Sequence, residues 1–403
     1  SVRDDTTGFY WKEATLNFSE ADEPPSFYSA EFIGTSSGTW SYSPAGFNAA
    51  LINGHTYIVK SSATDQVGNF QVTVATQSFI FDSSGPMTVV TIPASGVSKN
   101  SLTSIEGTAR DYPITGGLNK VGMARVDLQI LDLGNDHQIG GVGNNEDRYY
   151  DGSSTFSVTS STMVINISGT GEVPWQYDNP DNLWEDGHTY LVRANAFDAL
   201  GNRNQITASS QFVFDSSGPL TVITRPAEGV GYNATTNILT TISGTATDLP
   251  ATPQVNVGVD SAKYRITIRK DADKDNVPSA GDLYWDWSSN DFDSNSEKII
   301  TMRFDGGVYF STTAPTWDTG FKYFIESWAE DNLGNIETRR LRSFTIDTDL
   351  PESLVTIPTD NESLKTLSMI SGSAEDLTSK ISQVWVKIKD FGPDRTLGGG
   401  DDL

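Results

Sequence analysis

Residues 187–202 read GHTYLVRANAFDALGN, and this stretch decides the fold. Apolar residues recur at every second position from Tyr190 to Ala196, which is the period of a β-strand with one buried face. The Asp-x-x-Gly-Asn that ends the stretch is typical of a turn, because Gly and Asn tolerate positive φ. The run ITASSQFVFD at 206–215 then predicts the partner strand of a hairpin.

The same pattern occurs three times in the chain. GHTYIVKSSATDQVGN stands at 54–69 and GFKYFIESWAEDNLGN at 320–335, so the Gly-Asn pair recurs with a spacing of 133 residues. A second block follows each copy, as SFIFDSSGPMTVVTIP, QFVFDSSGPLTVITRP and SFTIDTDLPESLVTIP. A third block reads SIEGTARD, TISGTATD and MISGSAED. Three blocks in one order at a near-constant period identify an internal repeat.

Each repeat is predicted to be a sandwich of β-strands. Short β-rich segments are bounded by Gly, Pro, Asn or Asp, and no window carries a convincing helical stripe. Six to eight strands per repeat without intervening helices predict an all-β fold of tandem antiparallel β-sandwiches. Tyr57, Tyr190 and Tyr323 suit the corner of such folds, where a Tyr hydroxyl bonds to the backbone. An ordinary half-buried strand tyrosine is the alternative.

These linked blocks resemble bacterial Ig-like domains, which occur in tandem in large cell-surface and adhesin-type proteins. The resemblance covers nearly the whole chain and implies an Ig-like β-sandwich fold, a secreted or surface location and a structural or adhesive role. The repeats are longer than the usual unit of about 100 residues. The surplus lies in inserts such as DADKDNVPSAGDLYWDWSSNDFDSNS, which the family pattern does not explain.

Domain boundaries follow from the D-x-x-x-P blocks. Complete units are predicted at 86–215 and 219–347, the second half of a unit at 1–82, and the first half at 351–403. Linkers of three residues that end in Pro restrict bending, so we expect a stiff, rod-like array.

The two half-units allow two explanations. The chain is an excerpt of a longer array, or each C-terminal half is completed head to tail by the N-terminal half of a neighbouring copy, which would build a filament. The expected partners are therefore further repeats of the same chain or neighbouring copies of it.

The composition excludes several classes of function. The chain has 52 acidic and 27 basic residues, a net charge of −25, and no Cys. It lacks the cationic side chains that nucleic-acid binding needs, and no apolar run is long enough to span a membrane. Thiolate catalysis and Cys-ligated zinc are excluded as well. No catalytic motif is present, so we do not expect an enzyme.

Calcium is the predicted cofactor, because most of the acid is Asp and one Asp-rich loop has EF-hand spacing. Asp271, Asp273, Asp275 and Asp282 fall at positions 1, 3, 5 and 12 of such a loop, although Asn276 replaces the usual Gly at position 6. Weaker candidates follow the corresponding strands of other repeats. They are Asp390, Asp394 and Asp401 near the C-terminus, and Asp132 and Asp136 in the first complete unit. A solvated acidic loop is the alternative at each place.

A second set of acids recurs with the repeat and suggests a cation between domains. Its members precede Gly-Asn or end the last strand of a unit: Asp65, Asp198 and Asp331, and Asp82, Asp215 and Asp347. A third series, Asp111, Asp248 and Asp376, follows the Gly-[TS]-Ala block. Because the loops of Ig-like domains gather at domain ends, these carboxylates are able to share an ion. Hydrogen bonding within the turns explains the Asp before Gly-Asn equally well without a metal.

Aromatic residues of the inserts suggest an alternative function. Tyr284, Trp285 and Trp287 are spaced so that exposed rings would stack on sugars, as in glycan-binding surface modules. The opposing interpretation is that Trp285 or Trp287 belongs to the core. The sequence therefore favours an extracellular structural or adhesive repeat protein, with glycan binding second.

Overall fold

The structure is a computed structural model that describes residues 1–22, 27–113, 118–140, 147–153, 155–157, 159–178, 183–251, 254–311 and 314–390. The chain forms two compact units, one of Ser1–Ser216 with Pro250–Asn256 and one of Ser217–Leu249 with Val257–Leu403. Nearly all regular structure is strand, and no helix among the described residues is long and apolar enough to cross a membrane. The prediction of an all-β chain with tandem β-sandwich domains is confirmed.

Within the described part of the first unit there are seventeen strands and two single-turn helices. They are β1 (Val2–Asp4), β2 (Tyr10–Lys12), β3 (Asn17–Glu20), β4 (Glu31–Gly34), β5 (Gly38–Ser41), α1 (Phe47–Ala50), β6 (Thr56–Ser61), β7 (Ala75–Ile80), β8 (Met87–Ile92), β9 (Val97–Lys99), β10 (Ser104–Arg110), β11 (Met123–Asp132), a 3₁₀ turn (Gly134–Asp136), β12 (Arg148–Tyr150), β13 (Phe156–Ser157), β14 (Met163–Gly169), β15 (Glu172–Asp178), β16 (His188–Asp198) and β17 (Ala208–Phe214).

Strands β8 to β17 of this unit build one sandwich. A small sheet in the order β15-β10-β8 faces a larger sheet in the order β13-β12-β11-β16-β17-β9, with β14 also paired to β11. Ile105 and Trp175 from the small sheet pack with Val126, Leu128 and Tyr190 from the large sheet in one buried apolar cluster. The strands are antiparallel except for β9, which runs parallel to β17. The wholly antiparallel sandwich expected from the sequence therefore needs this one correction.

The second unit repeats the architecture with strands β18 to β28, followed by two further strands. They are β18 (Leu220–Arg225), β19 (Gly231–Tyr232), β20 (Ser243–Thr247), β21 (Arg265–Lys270), β22 (Leu283–Asp286), β23 (Asp291–Ser294), β24 (Ile300–Thr301), β25 (Arg303–Asp305), β26 (Val308–Phe310), β27 (Phe321–Trp328), β28 (Arg340–Ile346), β29 (Glu352–Ile357) and β30 (Ser371–Glu375).

The second sandwich also has two sheets around one core. A sheet in the order β18-β20-β26-β25 faces one in the order β19-β28-β27-β21-β22-β23, with β24 paired to β21 and β19 parallel to β28. Ile223, Tyr264, Trp285 and Tyr323 lie in its buried cluster. The inserts that lengthen the repeats extend the large sheets by a hairpin, β12–β13 in one sandwich and β22–β23 in the other. Part of each insert therefore belongs to the β-sheet of its sandwich.

The tyrosine corner predicted from the sequence is present three times. The hydroxyl oxygens of Tyr57, Tyr190 and Tyr323 each accept a hydrogen bond of 2.8 Å from a backbone N–H five residues upstream. All three side chains are fully buried. These bonds tie the loop before each strand to the strand itself.

Glycine in the Gly-[TS]-Ala block allows two strands to approach closely. A Cβ on Gly107 would lie 2.1 Å from the Val89 carbonyl oxygen and 2.2 Å from the Trp175 ring. The pairing of β10 with β8 shifts register at this point, as in a β-bulge. A Cβ on Gly372, in the same block near the C-terminus, would lie 2.0 Å from the Leu354 carbonyl oxygen. The repeated glycine is thus a packing requirement of the sheet.

Candidate metal centres

Three carboxylates from distant parts of the first unit meet at one point. Asp82 follows β7, Asp111 follows β10, and Asp198 ends β16. Each offers an oxygen within 4.8 Å of the other two, and their exposed fractions are 7%, 0% and 1%. We call this group the junction cluster, because residues 1–82 supply one carboxylate and residues 86–215 supply two.

Hydrogen bonds orient the three carboxylates but do not use all their oxygens. Asp198 accepts the backbone N–H groups of Leu200 and Asn202 and the side-chain amide of Asn202. Asp111 accepts the N–H groups of Tyr112 and Gly122, the latter at 2.7 Å. Oδ1 of Asp82 accepts from Ser84, whereas its buried Oδ2 has no hydrogen-bond partner among the described residues. A buried carboxylate oxygen without a partner is costly unless a cation binds it.

The electrostatics of the cluster also favour a cation. Burial raises the pKa of Asp82, and the nearby carboxylates of Asp111 and Asp198 raise it further. Burial likewise raises the pKa of Asp111, where Asp198 adds to the effect and Lys120 opposes it. Carboxylates that repel each other away from water require a compensating positive charge. Hard oxygen ligands of this kind are those that Ca²⁺ prefers.

Packed contacts surround the junction cluster. The Asn202 side-chain amide bridges the Asp198 carboxylate and the Asp82 carbonyl oxygen, at 2.7 and 3.3 Å. Asn119 donates its backbone N–H to the Gly54 carbonyl and its side-chain amide to Thr56 Oγ1. Gly85 in the linker lies so close to residue 203 that a Cβ would be 1.8 Å from the Arg203 carbonyl oxygen. The Asn of the Gly-Asn pair therefore serves the junction as well as the turn.

The remaining members of the recurring series differ in burial. Asp65 accepts the same turn bonds as Asp198, from Val67 and Asn69, but it is exposed. Asp331 makes those turn bonds in the second unit and is buried, as is Asp215 in the first. Asp347 is half-buried and accepts the backbone N–H of Asp349. The turn bonds are thus common to all three copies, and they do not by themselves make a metal centre.

A second acidic group lies in the loop between β21 and β22. Asp271, Asp273 and Asp275 offer oxygens within 4.8 Å of one another. Asp271 and Asp282 are each 2% exposed, and burial raises the pKa of both carboxyl groups. Ser279 joins Asp282 to Asp273, since its N–H donates to Asp282 Oδ2 and its hydroxyl donates to Asp273 Oδ2. We call residues 271–282 the acidic loop.

The corresponding loop of the first sandwich has a different structure. Asp132 does not cluster with Asp136, because its Oδ2 pairs with His188 Nδ1 at 2.8 Å and its Oδ1 accepts the Gly134 N–H. Asp136 bonds to the Gln138 N–H. Calcium at Asp132 and Asp136 stays a prediction, and the structure adds that Asp132 forms an Asp–His pair with His188. Asp390 is described and exposed, whereas Asp394 and Asp401 lie outside the described residues.

Strand register explains why the two loops differ. Asp132 stands opposite Tyr190, but the residue opposite Tyr323 in the second sandwich is Lys270, so Asp271 lies one position further along. The N–H of Leu133 bonds to the carbonyl of Thr189, and the N–H of Asp271 bonds to the carbonyl of Lys322, which confirms the correspondence. Asp271 therefore replaces a buried leucine rather than another aspartate.

The Asp132–His188 pair predicts a pH-dependent stability. The hydrogen bond to Asp132 raises the pKa of His188 above its ordinary value, so folding favours the protonated ring. This stabilisation is complete below the unfolded pKa of about 6.5 and is lost as the pH rises through the folded value. We expect His188→Gln to lower the free energy of unfolding more at about pH 5.5 than at about pH 8.5, as measured by urea unfolding.

The control for this prediction is the same substitution made in an Asp132→Asn background. With the partner carboxylate neutral, the difference in cost between the two pH values should become much smaller, since only Glu185, 3.5 Å from His188 Nε2, still favours the protonated ring. An equal cost at both pH values in the parent chain would contradict the assignment of the pair.

The aromatic residues of the inserts are mostly core. Trp285 is 1% exposed and packs against Phe292, so it is not available to stack on a sugar ring. Trp287 is 36% exposed and meets Trp285 edge to face, and Tyr284 is half-buried. The three-ring glycan platform suggested by the sequence is corrected on this point, because its central member belongs to the core.

Comparisons with known proteins add similarities of general architecture. No protein-family model and no curated protein matches the sequence. Among solved structures, a Ca²⁺-stabilized adhesin with which an Antarctic bacterium binds ice is 14% identical, with a TM-score of 0.28, over 76% of this chain and 60% of that chain. A 1.5-MDa bacterial ice-binding adhesin is 14% identical with a TM-score of 0.28, over 77% and 81%. A tetra-tandem repeat from the extending region of a large adhesion protein is 15% identical with a TM-score of 0.24, over 81% and 65%. Similarities of this size carry no argument about function.

Proposed function

We propose that the chain is an extracellular structural repeat protein of the adhesin type, in which Ca²⁺ at the junction cluster fixes one β-sandwich domain to the next. The observation that supports this role is the composition of the cluster. Asp82 comes from the end of one repeat, and Asp111 and Asp198 come from the next, so an ion held by all three ties two domains together. A spacer that carries mechanical load needs such fixed joints.

The sequence repeat supports the same proposal. The positions of Asp82, Asp111 and Asp198 belong to three different blocks, and all three blocks recur along the chain. A catalytic centre would be expected to repeat its nucleophile and base, whereas the recurring residues here are acids, asparagines and glycines of turns and linkers. Their recurrence is what a joint requires if every repeat contributes to it.

We also propose that the partners of the terminal segments are further repeats, in the same chain or in neighbouring copies. Residues 351–390 match the first half of a repeat, and Val384, Val386 and Ile388 are 52%, 62% and 75% exposed. The matching residues in the complete sandwich, Val126, Leu128 and Ile130, have no exposed surface. A second half-repeat has the strands that cover this apolar face.

The proposed joint is tested by measuring distances across it. The chain has no Cys, so spin labels can be attached solely at introduced cysteines. Thr76→Cys on β7 and Glu172→Cys on β15 place exposed labels on either side of the junction. We expect electron–electron distance measurements to give a narrow distribution in Ca²⁺ and a broad one after chelation, because an unscreened cluster repels itself. With Asp198→Asn in addition, the distribution should be broad in both conditions.

Asp65→Asn is the matched control, since Asp65 and Asp198 accept the same bonds in the same turn. The Asp65 variant should keep the calcium-dependent narrowing, because this residue is no part of the junction cluster. If the Asp198 variant still narrows in Ca²⁺ as the Asp65 variant does, the cluster is not the joint. Unchanged distances on chelation of the parent chain would overturn the proposal as well.

A further inference from the structure

We propose that the acidic loop binds one Ca²⁺ of its own, within the second sandwich and independent of the junction cluster. The ligands would be the carboxylates of Asp271, Asp273, Asp275 and Asp282. This site goes beyond the proposed joint, because all of its residues belong to one insert of one domain. It assigns a function to the part of the repeat that exceeds the ordinary sandwich.

The strongest observation is a buried carboxylate oxygen with no partner. Asp282 is 2% exposed, and its Oδ1 has no hydrogen-bond partner among the described residues. Its Oδ2 is held at 3.0 Å by the N–H of Ser279, whose hydroxyl in turn binds Asp273. Asp282 is thereby linked to Asp273, and the carboxylates of Asp271 and Asp273 are close enough to raise its pKa further. An ionised oxygen buried without a donor costs free energy, and a bound cation would offset that cost.

The comparison between the two sandwiches points the same way. Asp271 takes the place of Leu133, which is 1% exposed and packs with Leu131 and Leu191. Exchange of a buried leucine for a buried aspartate removes apolar packing and adds a charge that must be neutralised. The exchange occurs at the base of the loop that also carries three more carboxylates. A bound cation accounts for all these acids together.

The lysines near the loop are engaged elsewhere, and Arg269 interacts with Asp282 through space without an ion pair. Lys270 pairs with Asp318 at 2.8 Å, and Lys322 donates to the Asn276 carbonyl oxygen at 3.0 Å. Lys274 lies over the ring of Phe321, 4.6 Å from its centroid. Arg269 acts on Asp282 through space and lowers its pKa, but its guanidinium Nη2 is bonded to Glu326. No ion pair joins these cations to the loop carboxylates among the described residues.

The backbone conformation suits calcium rather than magnesium. Position 6 of an EF-hand loop is a glycine at a sharp turn, and Asn276 occupies that position here with φ of +68°. Asn is among the few residues that adopt positive φ readily. Val277 and Ser279 stand at positions 7 and 9, from which an EF-hand loop supplies further oxygen ligands. Mg²⁺ prefers fewer protein ligands and retains several waters.

The first test counts bound calcium. The full chain is stripped of metal and titrated with Ca²⁺ against a chelating indicator. We expect a variant with Asp273→Asn and Asp275→Asn to bind one Ca²⁺ fewer per chain than the parent. Both residues are exposed, so their loss does not endanger folding. The matched control has Asp291→Asn and Asp293→Asn, two exposed acids of the neighbouring strand β23, and should bind as many ions as the parent.

The count also separates this proposal from the joint. Asp198→Asn should remove a different ion, so a triple variant that combines it with the two loop substitutions should lose both. If the loop variant binds as much Ca²⁺ as the Asp291/Asp293 control, the loop site is overturned and the joint is unaffected. If the loop variant loses one ion and the Asp198 variant loses none, the joint fails and the loop site stands.

A second measurement uses the sign of a thermal shift. In chelator, Asp282→Asn should raise the melting temperature or leave it unchanged, because it removes an uncompensated buried charge. In saturating Ca²⁺ the same variant should melt below the parent, because it lacks a ligand for the ion that stabilises the folded state. An equal decrease of melting temperature in both conditions would mean that Asp282 has a purely structural role and would overturn the proposal.

Discussion

Replacement of Trp184 by alanine is expected to lower the free energy of unfolding of the first unit by about 3–5 kcal/mol. Trp184 is 6% exposed and packs against the rings of Tyr190 and Phe212, with centroids 4.8 and 5.2 Å away. Its Nε1 donates a hydrogen bond of 2.7 Å to the Leu102 carbonyl oxygen. The substitution therefore creates a large cavity and removes the donor of a buried hydrogen bond. Urea unfolding followed by circular dichroism measures the loss.

Trp184→Phe separates the two contributions. Phenylalanine keeps most of the aromatic packing and lacks the indole N–H, so we expect a loss of about 1–3 kcal/mol. A similar small loss in the alanine variant would show that the side chain is not part of the core. The same comparison applies to Trp317 of the second sandwich, whose Nε1 donates to the Leu239 carbonyl oxygen at 3.2 Å.

Gly107→Ala is expected to cost about 3 kcal/mol or more, although it adds a single methyl group. The new Cβ would lie 2.1 Å from a carbonyl oxygen of β8 and 2.2 Å from the ring of Trp175. The carbonyl belongs to a paired strand and the ring to the core, so relief requires movement of both. We expect a lower urea midpoint together with a change in the near-ultraviolet circular dichroism of the displaced tryptophan.

Gly171→Ala is the matched control for Gly107→Ala. A Cβ at Gly171 would have no heavy atom within 4 Å, and this glycine does not have a positive φ. The control should change stability by no more than about 0.5 kcal/mol. Equal effects of the two substitutions would show that general backbone flexibility, and not close packing, explains the repeated glycine.

The sequence predicted the fold well because the same strand-and-turn pattern occurs three times in the chain. Alternation from Tyr190 to Ala196 matches strand β16, and the tyrosine corners recur as expected. The parallel strands β9 and β19 were not predicted, because Val97–Lys99 and Gly231–Tyr232 are too short to show a period. The insert hairpins were missed for a related reason, since their short strands lie among many turn residues.

The acidic sites were predicted in part. Asp82, Asp111 and Asp198 were identified as candidates because an acid recurs at each of these positions in the other repeats. Their meeting depends on three loops coming together, which no local pattern contains. The equivalence drawn between Asp132 and Asp271 was one residue wrong, because pairing register is a long-range property. The pairing of His188 with Asp132 was not predicted either, because it joins residues 56 positions apart.

The insert aromatics illustrate the limit of spacing arguments. Trp285 and Trp287 stand two apart, so their side chains would point to the same face if the strand continued through both. Strand β22 ends at Asp286, and Trp287 turns back to meet Trp285 edge to face. One ring thus covers the other, which the alternation of residues alone does not reveal.

The placement of the junction carboxylates has a consequence for how such a gene is inherited. The boundary of the sandwich falls between Asp82 and Met87, but the proposed metal site extends across it, since the Asp82 carboxylate meets those of Asp111 and Asp198. A fragment of residues 86–215 keeps two of the three acids and loses the third. Duplication or deletion of one whole repeat, in contrast, leaves every remaining junction with its full complement. Each repeat supplies the acid that ends its last strand to one junction, and two earlier acids, such as Asp111 and Asp198 of residues 86–215, to the preceding junction. Repeat number can therefore drift between generations without a new ligand ever having to evolve.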